Sequence, residues 1–310
     1  MNDSRHQLAP GSLLPAILRC SRHALACGAM QPIETEEEYV RDAGIDFLVR
    51  RVSGLARKEE DRQRTGRETG PPANPFLPYE PDLFVAGISH SHVALLNKFN
   101  VIDHHLLIVT RRFVHQEGLI AGEDFAALAA CMAQLDGLGF YNGGVLAGAS
   151  QAHKHLQLVP LPLGKRGPPV PMETLFEPVR GQPGIVRAPG LAFLHAFSWI
   201  EPGWFDDPAA AGARLHGLYR ALLAQAGVRA LDAGGEARQS APYNLLLTRS
   251  WMLLVPRSRE HFDAISINAL GFAGSLFVRE EAQLQALKRA GPMAALEAVS
   301  LPEVATRAQS

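Results

Sequence analysis

The sequence predicts an α+β fold with a mainly antiparallel sheet and flanking helices. Two observations predict it. Short apolar runs of strand-like composition are separated by turns, and in each half of the chain such runs precede one amphipathic helix. This order favours antiparallel hairpins over parallel strands joined by helical crossovers. With 310 residues, 47% of them hydrophobic and 20% charged, the chain is long enough to bury a substantial core.

The first half begins with an amphipathic helix, predicted from about residue 12 to residue 26. Strands are predicted at the apolar runs 45–50, 83–87, 93–99 and 106–110. A helix is predicted over 123–137, where apolar residues recur at helical spacing and Asp124 lies in the first turn. The charged segment 57–69 has almost no apolar residues, so we expect a mobile loop there.

The second half follows a long connection, 161–190, whose density of proline and glycine argues against regular structure. Beyond it the sequence predicts a strand at 191–200, a helix at 207–227, a hairpin of strands at 243–248 and 251–255, and a helical tail at 279–299 broken at Gly291-Pro292. The chain therefore divides into residues 1–165, a connection at 166–190 and residues 191–310. Whether these are one domain or two packed domains is not decided by the sequence.

The segment His153-Lys154-His155-Leu156-Gln157 concentrates the polar chemistry of the chain. It precedes an apolar run and reads as a strand, on which successive side chains point to opposite faces. His153, His155 and Gln157 therefore share one face, whereas Lys154 and Leu156 take the other. A Gly- and Ser-containing loop, 142–151, comes directly before this row and could wrap a phosphate through its backbone N–H groups.

Two imidazoles and an amide in a row suit attack by histidine on phosphorus. Imidazole is mostly neutral and nucleophilic at pH 7, provided that its second ring nitrogen is held protonated by an acceptor. Attack on a phosphoryl group gives a phosphohistidine-type intermediate and predicts ping-pong kinetics. Gln157, Ser150 and the N–H groups of Gly148 to Gln151 are the donors that such a transfer would use.

Two histidines on one strand face are also a zinc-binding pattern, so the spacing alone leaves a metal site open. Further ligands at a suitable spacing are not evident. The histidines nearby in sequence, from which they would have to come, are His90, His92, His104, His105 and His115.

Composition excludes several other classes of function. A formal net charge of -1 and a pI near 6.9 give no electrostatic basis for nucleic acid or an anionic membrane as the main partner. No apolar run approaches the roughly 20 residues of a transmembrane helix. Three cysteines at unrelated spacings are typical of a reducing cytoplasm, where we expect the protein to be soluble.

The motif resembles the HxHxQ signature of the transferase branch of the histidine-triad superfamily. Within that branch the chain is similar to the diadenosine tetraphosphate phosphorylases, also called ATP adenylyltransferases, and the similarity spans about residues 46–292. The other segments that carry it are Asn74-Pro75-Phe76, Leu96-Asn97-Lys98-Phe99, Leu107-Ile108-Val109-Thr110-Arg111, Phe140-Tyr141-Asn142-Gly143-Gly144, Ala147-Gly148-Ala149-Ser150-Gln151, Pro242-Tyr243-Asn244-Leu245-Leu246, Val255-Pro256-Arg257 and Asn268-Ala269-Leu270-Gly271-Phe272-Ala273-Gly274.

The resemblance implies a role for each matched residue. His155 would be the nucleophile that forms an adenylyl-histidine, His153 would support it, and Gln157 would bind the α-phosphate. The residues expected to bind substrate are Lys58, Asn97, Lys98, Asn142, Gly148, Ala149, Ser150, Gln151, Asn268, Ala269, Leu270, Ser275 and Arg279. The family carries lysine at the position of Arg279, which keeps the charge but changes its geometry.

The resemblance also implies the fold and the reaction. The fold would be two histidine-triad-like halves, with the active strand in the first half. The reaction would be reversible phosphorolysis of diadenosine tetraphosphate to ADP and ATP, with adenylyl sulfate as an alternative donor. The ligands are then small-molecule nucleotides and phosphate, no cofactor is obligatory, and Mg²⁺ is compatible with the polyphosphate. The sequence leaves the oligomeric state open, a monomer included.

Three other functions remain to be distinguished: a dinucleoside polyphosphate hydrolase, a hexose-1-phosphate uridylyltransferase and a non-catalytic dinucleotide-binding protein. Gln157 in place of a third histidine disfavours the hydrolase, and the segments around Asn97 and Ser150 disfavour the sugar enzyme. The presence of both histidines disfavours the binding protein.

Overall fold

The computed structural model describes residues 8–52 and 74–303. Within these ranges nine strands form one sheet, in which each neighbouring pair is antiparallel. Helices pack on the sheet. The predicted α+β class with a mainly antiparallel sheet is confirmed.

Sixteen strands are present in the described residues. In chain order they are β1 (Thr35–Asp42), β2 (Ile45–Val52), β3 (Phe84–Gly87), β4 (His92–Leu96), β5 (Leu106–Thr110), β6 (Gly137–Gly143), β7 (His155–Pro160), β8 (Ile185–Val186), β9 (Ala196–Trp199), β10 (Ala230–Ala233), β11 (Glu236–Gln239), β12 (Tyr243–Leu247), β13 (Trp251–Pro256), β14 (His261–Phe262), β15 (Ile265–Ser266) and β16 (Ser275–Val278).

The α-helices that the structure describes are α1 (Leu13–Cys27), α2 (Gly122–Met132), α3 (Pro208–Gln225), α4 (Glu281–Ala290) and α5 (Pro292–Val299). Their ends follow from local chemistry. Asp207 caps α3 by accepting the N–H groups of Ala209 and Ala210. Gly291, at φ +88°, separates α4 from α5 where the sequence predicts a break.

The large sheet has an approximate two-fold arrangement about the β6–β12 pair. The strand order is β3-β4-β5-β7-β6-β12-β13-β9-β8. On one side of the β6–β12 pair lie β7, β5, β4 and β3, and on the other side lie β13, β9 and β8. Asn142 of β6 pairs directly with Asn244 of β12, and each asparagine follows a tyrosine, Tyr141 or Tyr243. The two halves of the chain therefore meet strand to strand and form one continuous sheet.

The two faces of the sheet carry different layers. On one face Ile17 of α1, Phe125 of α2 and Leu215 of α3 share a buried core with Leu156 and Leu158 of β7. The opposite face packs against a second, three-stranded sheet of order β1-β2-β16, in which β2 and β16 are parallel. The alternation of β7 is what allows one strand to serve both layers.

Several predicted elements agree with the structure and several do not. The helices near 12–26 and 207–227, the strand at 106–110, the hairpin at 243–255 and the broken helical tail are confirmed. The prediction that 161–190 has no regular structure is wrong, because a 3-10 helix spans Pro171–Val179 and β8 follows it. The sequence also failed to predict β1, β6 and the β10–β11 hairpin.

In the described part of the chain, no helix combines the length and the apolar character that crossing a membrane requires.

Candidate active site

The polar row on β7 lies between two apolar clusters on the same face of the sheet. His155 pairs with Val109 and Gln157 pairs with Leu107, and residues paired across antiparallel strands share a face. These two partners belong to a small apolar cluster, whereas Phe140, which pairs with Gln157 from the other side, belongs to the core under the second sheet. The row thus occupies the seam between these clusters.

His155 has a defined tautomer. Its Nδ1 lies 2.8 Å from the backbone oxygen of His153, so Nδ1 carries the proton and Nε2 carries the free lone pair. Burial lowers the pKa of His155 to about 4, although the hydrogen bond to His153 raises it. The ring is therefore neutral at pH 7 and presents one nucleophilic nitrogen.

His153 is held on both ring nitrogens. Nε2 lies 2.8 Å from the backbone oxygen of Thr110 and donates to it, so Nδ1 accepts from the amide nitrogen of Asn74 at 3.1 Å. The ring of Phe76 contacts both histidines, with centroids 5.6 Å from His153 and 5.3 Å from His155. β7 begins at His155, and His153 precedes it in an isolated bridge with His115.

Gln157 is oriented by His105, a histidine that the sequence pattern indicates only as a possible metal ligand. His105 Nε2 lies 2.9 Å from Gln157 Oε1, and His105 Nδ1 lies 3.2 Å from the Asn97 amide nitrogen. Asn97 therefore donates to His105, which donates to the amide oxygen of Gln157. The amide nitrogen of Gln157 is left to face the seam beside His155. Burial lowers the pKa of His105 to about 4, so this relay is neutral.

Gln116 separates β6 from β7 beside His155. The last direct pair of these strands is Phe140 with Gln157. Beyond it the Gln116 side chain accepts the N–H of His155 at 2.9 Å and donates to the backbone oxygens of Asn142 and His155 at 2.9 and 3.3 Å. The sheet opens here without leaving these backbone groups unpaired.

The loop 144–151 is built around a 3-10 helix at Val145–Ala147. The N–H groups of Gly148 and Ala149 bond within the loop, to Val145 and Gly144, so the prediction that all four N–H groups of 148–151 face an anion is wrong for these two. Within residues 8–52 and 74–303, no acceptor bonds the N–H groups of Ser150 and Gln151. Ser150 is exposed and remains available to a ligand.

Residues of the second half hold this loop in place. Asn142 Oδ1 accepts from the Asn244 amide and from the N–H of Ala269, each at 2.9 Å. Asn268 caps the 3-10 helix at Ala269–Ala273 by accepting the N–H of Leu270. A Cβ on Gly148 would lie 2.8 Å from the Cβ of Asn268. The predicted residues Asn142, Asn268, Ala269 and Leu270 are therefore brought together with the loop.

The other predicted substrate-binding residues are less closely connected. Lys98 lies in the turn after β4, its Nζ 5.7 Å from the centroid of the Phe99 ring. Ser275 is buried and accepts from Arg50, and Arg279 is exposed at the end of β16. In the described ranges neither Ser275 nor Arg279 shares a hydrogen bond with the histidine cluster. Lys58 and the predicted loop 57–69 lie outside the described residues.

The histidines considered above as metal ligands mostly have other partners. His92 bonds Asp124, His105 bonds Gln157 and His115 accepts the N–H of Glu117. Among described residues, one group of three has ligand atoms within 4.8 Å of one another: His23, Cys27 and Asp82, on α1 and just before β3. His23 and Asp82 already form a surface ion pair at 2.7 Å.

Four residues of the site were named in the sequence only as parts of longer segments or as nearby histidines: Asn74, His105, Thr110 and Asn244. Gln116 had no signal at all, because a lone glutamine in a loop is ordinary. Its role depends on a contact between segments 39 residues apart.

Two family models match the chain, one in each half. The model of the Ap4A phosphorylase N-terminal domain matches residues 3–178, and the model of the ATP adenylyltransferase C-terminal domain matches residues 189–302. Together they cover both sides of the approximate two-fold arrangement.

Two relatives from Saccharomyces cerevisiae are similar in sequence. Protein APA1 is 26% identical over 298 residues, covering 88% of this chain and 88% of that protein. Diadenosine 5',5'''-P1,P4-tetraphosphate phosphorylase 2 is 27% identical over 216 residues, covering 62% of this chain and 64% of that protein.

Solved structures of the yeast Ap4A phosphorylase Apa2 share the fold. One superposes with a TM-score of 0.77 at 22% identity, over 97% of this chain and 98% of the other. A structure of Apa2 in complex with Ap4A gives 0.76 at 21% identity, over 96% and 100%. These likenesses show that the described residues of this chain share the fold of that enzyme.

Proposed function

This chain belongs to the Ap4A phosphorylase family, and we propose that His155 carries the adenylyl group in the reaction it catalyses. The enzyme is a nucleotidyltransferase that phosphorolyses diadenosine tetraphosphate (Ap4A) to ADP and ATP. One observation carries the proposal for His155. Its Nδ1 is fixed 2.8 Å from the carbonyl oxygen of His153, which directs the free lone pair of Nε2 to the open side.

In the first step Nε2 attacks the α-phosphorus of Ap4A. A phosphorus–nitrogen bond forms, the bond from that phosphorus to its bridging oxygen breaks, and ATP leaves. The imidazole gains positive charge, which the carbonyl of His153 stabilises through Nδ1–H. In the second step an oxygen of inorganic phosphate attacks the same phosphorus, and the phosphorus–nitrogen bond to Nε2 breaks. ADP leaves, and neutral His155 is restored.

Neutral donors surround the position of the transferred phosphoryl group. The amide nitrogen of Gln157, directed by His105, lies beside His155 on the same face. Ser150 and the N–H groups of Ser150 and Gln151 lie on the loop before β7. Such donors can stabilise the charge that spreads over the phosphoryl oxygens in the transition state.

The more distant residues have supporting or electrostatic roles in this proposal. Asn142 and Asn268 hold the loop, since their side-chain oxygens are engaged within the protein. Lys58, Lys98 and Arg279 are cations that would neutralise the polyphosphate chain, with Mg²⁺ travelling as part of the substrate. We propose no resident cofactor and a cytoplasmic location, where the three cysteines stay free.

The decisive experiment incubates the protein with Ap4A, with and without inorganic phosphate, and separates the nucleotides by chromatography. ADP and ATP formed only with phosphate support phosphorolysis. AMP and ATP formed without phosphate would indicate a hydrolase, and no turnover would favour a binding protein or the sugar-nucleotide enzyme.

The first variant is His155→Ala. We expect turnover to be abolished while Ap4A binding persists, because the nucleophile is lost and the donors remain. The matched control is His90→Ala, which removes an exposed histidine. Protein incubated with adenine-labelled Ap4A without phosphate and then denatured at alkaline pH, where the phosphorus–nitrogen bond survives, should retain label in the wild type and in His90→Ala only. Near-normal turnover of His155→Ala would contradict the mechanism.

A further inference from the structure

A buried lysine lies between the two histidines, on the reverse side of the strand. Lys154 points to the helical layer, where its Nζ donates to the backbone oxygen of Leu119 at 2.8 Å and to Asp124 Oδ2 at 3.2 Å. Only 4% of Lys154 is exposed. A lysine buried to this degree is rare unless its charge is paired.

Asp124 is the counter-charge and is itself fixed from two other directions. It lies in the first turn of α2, where Oδ2 accepts the N–H of Ala121 at 2.7 Å and Oδ1 accepts from His92 Nε2 at 2.8 Å. His92 Nδ1 in turn lies 2.9 Å from the hydroxyl of Ser91. Burial by itself would raise the pKa of Asp124, but the hydrogen bond from His92 and the charge of Lys154 lower it below the ordinary value. Asp124 is therefore ionised and faces Lys154 as its counter-charge.

The main chain of Lys154 is fixed as well. Its N–H donates to Val114 at 2.8 Å, and its carbonyl oxygen accepts from the N–H of Thr110 at 3.3 Å and from the Thr110 hydroxyl at 3.4 Å. The residue is thus held at its backbone and at the end of its side chain. Lys154 lies between His153 and His155 in the chain. The backbone oxygen of His153 and Nδ1 of His155 must stay 2.8 Å apart to set the tautomer of His155.

We propose that the Lys154–Asp124 pair is a positioning device for the nucleophile. Through the backbone of Lys154 it holds the His153 carbonyl against Nδ1 of His155, so that Nε2 keeps its lone pair and its direction. The pair touches neither substrate nor reacting atoms. Its kinetic consequence depends on the function proposed above.

Stability alone is a poor reason for this arrangement. Desolvation of a buried ion pair offsets much of its attraction, and a well-packed apolar pair of similar volume is often as stable. Leu156 and Leu158, on the same face of β7, show that apolar side chains fit this layer. An anchored side chain at this position restricts the backbone more than a leucine would.

The test uses the full chain with the double substitution Lys154→Met and Asp124→Asn, which leaves no unpaired buried charge. Lys154→Met alone is the second variant in case the double variant does not fold, because Asp124 then keeps its hydrogen bonds from His92 and Ala121. The matched control is Glu123→Gln, because Glu123 is the exposed neighbour in the same helical turn. Kinetics with Ap4A are compared with nitrogen-15 NMR of the histidine rings, which distinguishes Nδ1–H from Nε2–H.

We expect kcat to fall about 10- to 100-fold in the double variant, with KM nearly unchanged. Losses of this size are typical when the residues that orient an active group are removed. Lys154→Met alone should show a comparable loss, and His155 should lose its single tautomer in both variants. Lower thermal stability with normal kcat and an unchanged tautomer would overturn the proposal. If wild-type protein does not act on Ap4A, the proposed function fails, while the NMR comparison still decides whether the pair sets the tautomer.

Discussion

His155, the proposed nucleophile, owes its neutral form to burial more than to any partner. His155 would be largely protonated below its ordinary pKa of about 6.5 if it were exposed. In the structure burial lowers that pKa to about 4, so the ring stays neutral through mildly acidic conditions.

This shift predicts an unusual pH dependence. Because a ring with a pKa of about 4 loses its nucleophilic lone pair only near that value, kcat/KM for Ap4A should show no limb near pH 6.5 from His155. In a ping-pong reaction kcat/KM for Ap4A reports adenylyl transfer to the enzyme and is independent of phosphate ionisation. Initial rates from pH 5 to pH 8 (roughly the range around the ordinary histidine pKa) provide the measurement. An acid limb centred near 6.5 would contradict the prediction.

At the scale of single residues, the sequence predicted the row of His153, His155 and Gln157 but not the side chains that hold the row in place. The alternation of a strand was enough to place His153, His155 and Gln157 on one face. The residues that fix their rings and amide, His105 and Gln116, come from segments whose distance along the chain hides the contact. Side-chain partners of this kind depend on strand register, which periodicity does not give.

Among the elements, the separation of β6 from β7 has the clearest functional consequence. Because β6 and β7 diverge next to His155, they leave room for a ligand. Gln116 forms hydrogen bonds with the backbone groups of Asn142 and His155 that the divergence separates.

Replacing Gln116 with leucine should therefore affect both stability and rate. The buried N–H of His155 loses its partner, which costs about 1–3 kcal/mol for an unsatisfied group, whereas the oxygen of Asn142 keeps the N–H of Gly144. We expect a lower denaturant midpoint and a lower kcat, because the main chain of His155 is released. Gln182→Leu is the control, since Gln182 is exposed. Equal kcat in the two variants would show that the divergence needs no such support.

The elements that the sequence missed share a cause. β1 has three consecutive glutamates and β6 is rich in glycine, so neither has the apolar, β-branched composition by which strands are predicted. Their strand structure comes from pairing with β2, β7 and β12, a tertiary effect. The 3-10 helix at Pro171–Val179 shows likewise that proline density does not exclude a short helical segment.

For the whole molecule, the main feature is that residues from both halves build one site. The strand order across β6 and β12 could not be read from the sequence, because pairing between halves is non-local. The sequence therefore predicts elements within each half but not the pairing of β6 with β12 that joins the two halves.

That junction can be tested with a pair of glycines. Gly148 and Gly44 both have left-handed backbones, at φ +85° and +83°, but only Gly148 lies against the second half, at Asn268. Alanine at Gly44 should cost about 1–2 kcal/mol through backbone strain and leave activity unchanged. Alanine at Gly148 should cause the same backbone strain and also displace the loop, so that kcat/KM falls at least about tenfold. Unfolding curves and initial rates for both variants provide the measurement, and equal activities would argue against coupling of the halves.

The approximate two-fold arrangement of the sheet has a consequence for the orientation in which the substrate binds. β7 begins with His155, whereas its counterpart β13 reads Trp-Met-Leu-Leu-Val-Pro and has no histidine. Ap4A, in contrast, is identical when read from either adenosine. A ligand with this symmetry on a site without it can be cleaved in two indistinguishable orientations. A mixed dinucleotide with one adenine and one guanine would lose that degeneracy, and the identity of the base left on His155 would then record which end each half of the protein prefers.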